Sequence, residues 1–267
     1  MNAPERRGLA DVQSEVDARG IGIDAVGIKD LRYPITILSG GWKVLTIAYV
    51  SMTVALPGSV KGTHMPRFVE LLEMQDGALD QRGFRAMVKD MLASLDARTG
   101  MVEMRFPYFV RKAAPVSGLQ SHLDYDVRWR GGVDAAGSYS FWMGVGVPVM
   151  SLCPCSKEIS AYGAHTQRSR VTIEAQTAED VRIEDLIAIA EESGSSQLYS
   201  LLKRSDERFV TEMAYDNPRF VEDLVRDVAL ALNRDARVSG YTVEAENFES
   251  IHNHSAFARV VRRNRRS

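Results

Sequence analysis

The chain has 267 residues, of which 45% are hydrophobic and 25% charged, and its formal net charge is −2. That length allows one large core, or two smaller units sharing a sheet. The charge balance excludes a globally basic nucleic-acid binder but leaves room for a local basic pocket that takes an anionic small molecule.

Met1 to Arg19 is polar and charged, without the apolar stretch of a secretory signal, so a cytoplasmic protein is expected. Periodicity is weak at the start, and residues 1–30 read as an N-terminal arm. The rest, 31–267, reads as one bimodular domain with approximate halves 31–120 and 121–267. From Leu31 the pattern is strand-like, and Val44 to Val54 continues it to a Pro57-Gly58 turn. The uncharged run Val44–Val60 is too short and too interrupted to span a membrane.

Two helices are expected next. Pro66–Met74 is one. Arg82–Leu95 is the other, with Phe84, Met87, Val88, Met91, Leu92 and Leu95 on one face. Strands follow at Val102–Lys112, Leu123–Trp129 and Tyr139–Val149. Beyond Cys153 the order recurs. It runs through a strand at Arg168–Gln176, helices at Ile183–Ala190, Leu198–Leu202 and Arg219–Leu232, and strands at Tyr241–Phe248 and Ala256–Val261. Asn217-Pro218 reads as the start of the last helix. Strands and helices are segregated, which favours an antiparallel α+β sheet over a doubly wound one. The four arginines between Arg262 and Arg266 read as a solvated end.

Chemistry concentrates at Ser-Leu-Cys-Pro-Cys-Ser-Lys. Its cysteines, Cys153 and Cys155, are the only two in the chain. A disulfide across one proline is strained, and a reducing compartment disfavours it. In an extended segment both thiols would face one side, open to a metal or a substrate. The alternative is two small buried hydrophobes. A structural zinc site would want four ligands. His165 follows a glycine in a loop that feeds a strand. His252 and His254 share a turn between the last two strands. Glu207 reads by itself as solvated surface, and Glu222 as an acid in a helix's first turn. Lys157, Arg168 and Arg170 cluster near the cysteines, and His64 and Arg67 lie where a strand gives way to a helix, a natural phosphate site. No Gly-rich phosphate loop is present.

Together these segments resemble the prokaryotic type IB GTP cyclohydrolase I family. The match rests on Gly-Thr-His-Met-Pro-Arg-Phe from Gly62, Ser-Leu-Cys-Pro-Cys-Ser-Lys-Glu-Ile-Ser from Ser151 and Gly-Ala-His-Thr-Gln-Arg-Ser from Gly163. Asn-Pro-Arg-Phe-Val-Glu-Asp from Asn217 and Ile-His-Asn-His from Ile251 extend it. Pro66 is a mild departure, since a small polar residue is expected there. The resemblance implies the tunnelling fold, with two pseudo-repeated antiparallel-sheet units carrying helices on one face. It also implies a homo-oligomer, expected to be a tetramer, with active sites at subunit interfaces. The implied reaction takes GTP and water to 7,8-dihydroneopterin triphosphate and formate, a step feeding folate and deazaguanine nucleosides. The implied ligands of a divalent metal (Zn²⁺, Mn²⁺ or Fe²⁺) are Cys153, His165 and Glu207. Cys155 would face the reacting carbon, Glu222 would hold the guanine edge, and His252 and His254 would move protons. His64, Arg67, Lys157 and Arg168 would serve substrate binding. Neither nucleic acid nor membrane is an expected partner. Two alternatives remain: a nitrile reductase of the same fold with a cysteine nucleophile and NADPH, and a non-catalytic metal-binding module.

Overall fold

A computed structural model describes residues 12–263 of the chain. The strands are β1 (Ile23–Ser39), β2 (Trp42–Leu56), β3 (Ala78–Leu79), β4 (Gly100–Ala113), β5 (Gln120–Val133), β6 (Tyr139–Leu152), β7 (Thr166–Thr177), β8 (Ser196–Gln197), β9 (Val238–Asn247) and β10 (Ala256–Arg262). The helices are α1 (Met65–Glu73), α2 (Gln81–Ser94), α3 (Pro154–Ile159), α4 (Ile183–Ser193), α5 (Arg204–Asp216) and α6 (Val221–Arg234). They form one sheet in the order β10-β9-β7-β6-β5-β4-β2-β1-β3, with β8 paired to β6. All pairs are antiparallel except β1 with β3.

This order contains the same unit twice. The strands β1-β2-β4-β5 and β10-β9-β7-β6 each lie side by side, and in both units the helices, apart from the short α3 between β6 and β7, are inserted between the unit's second and third strands. The join between units is the turn from β5 to β6, around 134–138, rather than residue 120. Each strand alternates. On β5, Tyr125, Val127 and Trp129 are buried, while Asp124 and Asp126 are exposed. The buried side faces the helices, and the other face carries no helix. Phe84 of α2 meets Trp129 and Phe141 edge-on, with ring centroids 5.8 and 5.6 Å apart. Each such contact contributes about 0.5–1.5 kcal/mol beyond burial.

Register fixes which ends of the strands lie together. Val54 pairs with Gly100, Gly100 with Val133, and Val133 with Tyr139. The end of β2 that leads to α1 is therefore level with the start of β6. Cys153 lies beyond the other end of β6, a strand of 14 residues, roughly 45 Å away along the sheet.

Several expectations are corrected. The sheet begins at Ile23, not Leu31. Two irregularities in the β1–β2 register, between Ile23 and Val26 and between Ile28 and Leu31, blur the alternation there. Gly27 is a close-approach residue, since a Cβ would stand 2.0 Å from Met52 O. Residues 1–11 of the expected arm, and Arg265 and Arg266 of the arginine tail, lie outside the described residues. Leu198–Leu202 is not a helix. The helix is α5, whose sparse buried set of Asp206, Val210 and Ala214 hid its periodicity. Asn217 ends α5 rather than starting α6, and its side-chain amide donates to Gly194 O at 3.1 Å. The last helix starts at Val221.

Candidate active site

The connection from β6 to β7 puts Cys153 and His165 across from each other. Leu152 pairs with Thr166, and the Cys153 N–H donates to His165 O at 3.2 Å, extending the ladder by one step. Directly opposed residues hold their Cβ atoms about 4.5–5.5 Å apart. Gly163, at φ +115°, supplies a backbone shape that L side chains rarely adopt and turns the chain into His165. Ser156 ties the two sides. Its hydroxyl donates to Cys153 O at 3.1 Å and accepts the His165 N–H at 3.2 Å. Sequence reasoning missed Ser156 as a site residue, although it stands inside the quoted cysteine motif.

The cysteines do not sit on an extended segment. Cys153 caps α3 with an extended backbone, and Pro154 opens the helix where its missing N–H has no cost. Cys153 is half-buried and Cys155, one residue into the helix, is exposed. The two thiols therefore have different environments, which suits a division of roles.

The turn from β9 to β10 closes over His165. Phe248 N–H donates to Arg168 O at 3.0 Å, continuing the ladder in which Ser169 pairs with Asn247. Ser250 Oγ then lies 3.4 Å from His165 Nδ1, and the His165 and His252 ring centroids are 6.5 Å apart. His254 follows at 5.2 Å from His252. Glu249 Oε2 lies 3.3 Å from His252 Nδ1. Two loops that are distant in the sequence thus assemble one thiol and three imidazoles.

Over residues 9–258 the chain matches the family model described as type I GTP cyclohydrolase folE2. It is 51% identical to the GTP cyclohydrolase FolE2 of Azoarcus sp. (strain BH72) over 98% of each chain. It is 56% identical to that of Paraburkholderia phymatum over 94% of this chain and 93% of the relative. The chain belongs to the type I GTP cyclohydrolase FolE2 family. Among solved structures it is similar to uricase from Arthrobacter globiformis, with a TM-score of 0.52 at 8% identity, covering 91% of this chain and 95% of that one. A hyperthermostable mutant of Bacillus sp. TB-90 urate oxidase gives a TM-score of 0.51 at 10% identity, covering 90% and 99%. At such low identity these show the fold alone, and that fold is the tunnelling fold expected from the resemblance.

The other residues that the FolE2 resemblance singles out fall into two groups. Glu222 is exposed in the first turn of α6, and Arg219, three residues earlier, donates its N–H to Leu152 O at 3.0 Å. That places Glu222 at the same end of the sheet as Cys153. Lys157 of α3 is nearby but engaged. Its ammonium donates to Tyr215 O and lies over the Tyr215 ring, 4.2 Å from the centroid.

Four residues are not gathered as expected. Arg168 alternates with the buried Gln167 and Ser169, so it points to the helix-free face, away from His165. It lines a shallow cavity there with Arg170, Asp126 and Tyr199. Arg67 donates to Ser94 O at 2.8 Å, and His64 caps α1, both beyond the far end of the strands from Cys153. Glu207 is exposed in the first turn of α5. That turn is pinned elsewhere. Its neighbour Asp206 is buried and accepts the N–H groups of Val116 and Ser117, both at 2.8 Å, from the β4–β5 turn. Burial pushes the Asp206 carboxyl up, but its hydrogen bonds from Ser117, Lys203 and Val116 prevail and hold it well below the usual carboxylate range. Among the described residues no three His, Cys, Asp or Glu side chains converge to hold a metal. A thiolate opposite an imidazole fits a borderline-soft divalent ion. Cys153 and His165 supply that pair, and within this chain Glu207 is not brought to them.

Proposed function

We propose that the chain is a GTP cyclohydrolase that opens the imidazole ring of GTP with water, releasing formate and yielding 7,8-dihydroneopterin triphosphate. The observation that carries this reading is the meeting of Cys153 and His165 across the β6–β7 ladder, with His252 and His254 folded over them, in a FolE2 family member.

Cys153 and His165 would hold a divalent metal (Zn²⁺, Mn²⁺ or Fe²⁺), with Glu207, which this chain does not bring to them, supplied as the third protein ligand by a neighbouring subunit, and such a metal would supply activated water and polarisation at the purine. The remaining steps fall to the chain's own groups. Glu222 accepts N–H groups from the guanine edge, and a base with another donor pattern would leave that carboxylate unpaired. Cys155, exposed beside the bound base, contacts the reacting carbon. His252 and His254 deliver and remove the protons that ring opening and formate release require. Glu249 orients His252 through Nδ1.

The triphosphate needs cations. Lys157 is at the site, whereas His64 and Arg67 lie beyond the opposite strand ends, so a neighbouring subunit would have to bring them. That separation supports an oligomer, which we take to be a tetramer, with sites completed between subunits. Two free thiols suit a reducing cytoplasm. No helix among the described residues is long and apolar enough to cross a membrane.

The test is a GTP assay on purified protein with and without chelator, followed by re-addition of Zn²⁺ or Mn²⁺. Formate and an oxidisable, fluorescent pterin should form, stop with chelator and return with metal. Metal-loaded protein that releases neither product from GTP rules the reading out. Cys153→Ala should lose bound metal, and full metal content in that variant would remove Cys153 from the ligand set.

A further inference from the structure

Beneath the site, the buried face of the sheet changes character. Along β6, β7 and β9, the helix-facing positions are Val147, Val149, Val171, Ile173, Val243 and Ala245, all apolar and buried. One step closer to Cys153 and His165 they become Ser151, Gln167, Ser169 and Asn247, which are 0, 8, 1 and 3% exposed. Buried polar side chains cost stability unless they are hydrogen-bonded, and an all-valine continuation would have avoided that cost. The group is bonded. The Ser169 hydroxyl donates to Asn247 Oδ1 at 2.7 Å and meets the Ser151 hydroxyl at 2.7 Å. Gln167 is paired with Ser151 in the ladder, and its Oε1 lies 3.0 Å from His165 Nδ1.

We propose that Gln167 is a positioning residue that fixes the tautomer of His165, holding the proton on Nδ1 so that the Nε2 lone pair is free to bind the metal. The proposal rests on the metal reading of the site given above. A carbonyl oxygen can only accept, so the Gln167 amide turned with Oε1 towards Nδ1 at 3.0 Å favours a proton there, and the Ser250 hydroxyl, 3.4 Å from the same nitrogen, can accept that proton as well. The neutral ring then has its lone pair on Nε2. The His165 backbone is already held by Ser156 and by Cys153, and the Gln167 contact settles the remaining freedom, the orientation of the ring. Ser151, Ser169 and Asn247 are hydrogen-bonded to one another in the same layer, and Gln167 stands beside them through its ladder pairing with Ser151. Such partners behind a ligating imidazole typically change metal affinity by about 10–100-fold.

The experiment begins with the full-length, metal-free protein, labelled with ¹⁵N at histidine. Long-range proton–nitrogen spectra report which ring nitrogen carries the proton, and loss of one signal set in His165→Asn identifies His165. Wild type should show His165 protonated at Nδ1. Gln167→Met, which keeps length and loses the acceptor, should mix the two tautomers and weaken Zn²⁺ binding about 10–100-fold in competition with a chromophoric chelator. Gln167→Glu, which keeps an acceptor at the same place, should retain the Nδ1 proton and bind Zn²⁺ far more tightly than Gln167→Met. A wild-type His165 protonated at Nε2 overturns the proposal without any variant. So does Gln167→Met binding Zn²⁺ as tightly as wild type. If wild type itself takes up no Zn²⁺, the metal reading falls and the role proposed for Nε2 falls with it. The metal-free spectrum still decides separately whether Gln167 sets the ring.

Discussion

In the first repeat the hairpin β1–β2 closes on Gly40 and Gly41, and β4–β5 closes over residues 114–119. In the second, the corresponding β6–β7 connection runs from 153 to 165 and contains α3, and the β9–β10 turn runs from 248 to 255. Cys153, Cys155, His165, His252 and His254 all lie on those two longer connections. The strands beneath them are equivalent in both repeats. A doubled scaffold therefore supplies two similar platforms, and loop length on one of them decides where chemistry is built. The first repeat contributes support instead, since its β4–β5 turn anchors α5 through Asp206.

The comparison is tested most strongly by paired substitutions at the two sets of turns. His252→Ala should lower turnover of GTP by on the order of 10²–10⁴-fold, the range for removing a positioned proton-transfer group. Val116→Ala, at the exposed tip of the equivalent first-repeat turn, should leave turnover unchanged. Steady-state kinetics with formate detection decides it. Comparable losses at both positions would mean that the turns of the two repeats are functionally alike, against the division drawn here.

How much of this was legible in the sequence follows the same division. Clean alternation, as in Leu123 to Trp129, and one-sided helices such as α2 are local signals, and the antiparallel α+β class follows from them, whereas the tunnelling fold was implied by the resemblance. The cysteine and histidine motifs were readable because they are contiguous. What stayed hidden depends on register or on distant partners. Arg168 and His165 are three residues apart, yet strand parity sends them to opposite faces. Asn217-Pro218 looked like a helix start, but the Asn217 amide is spent on Gly194 and Ser195 carbonyls far back in the chain. Helix α5 buries an aspartate in place of an apolar residue, which no hydrophobic periodicity reveals. Gln167 matters only through the ladder that sets it beneath the site.

The seam between the repeats gives the next largest effect. Lys112 of β4 and Glu191 of α4 meet at 2.6 Å, with only 10 and 8% of their side chains exposed. Tyr125 of β5 donates to the same carboxylate oxygen at 2.6 Å. Burial lowers the Lys112 ammonium, with the Glu191 charge opposing it, and burial followed by that charge raises the Tyr125 hydroxyl far above its ordinary value. Glu191→Ala removes the acceptor of Tyr125 and the counter-charge of Lys112, whose remaining acceptor is Leu198 O at 3.1 Å, and should cost about 3–5 kcal/mol in denaturant unfolding, since it leaves a buried ammonium without an anion. Lys112→Met combined with Glu191→Gln keeps an acceptor for Tyr125 without a charge, and should recover most of that loss. If the single variant is as stable as wild type, the seam is not held by this cluster.

The smallest effect separates the ways the two repeats start their helices. In the first, Asp80 caps α2 from the N-cap position, accepting the Gly83 N–H at 2.7 Å. In the second, α4, α5 and α6 each use an aspartate in their first turn that reaches back to the preceding backbone. Asp185 accepts from Arg182 N at 3.1 Å, Asp206 from Lys203 N at 2.8 Å and Asp223 from Phe220 N at 3.0 Å. Asp80→Ala should cost about 0.5–2 kcal/mol. Asp185→Asn keeps an oxygen acceptor and removes the charge, so it should cost less at neutral pH. The pH dependence distinguishes it. Burial raises the Asp185 carboxyl, but hydrogen bonds from Arg182 and the charges of Arg182 and Arg237 outweigh it and leave the group below its ordinary value. A carboxyl held lower in the folded than in the unfolded state binds fewer protons when folded. Its stabilisation is therefore complete above the unfolded value of about 3.9 and is lost as pH falls through the folded one. The stability gap between wild type and Asp185→Asn should be present at pH 7 and shrink below about pH 4. A gap of the same size at pH 7 and pH 3 would mean that Asp185 acts as a neutral acceptor, and the second repeat's helix starts would then differ from Asp80 in position only, not in charge.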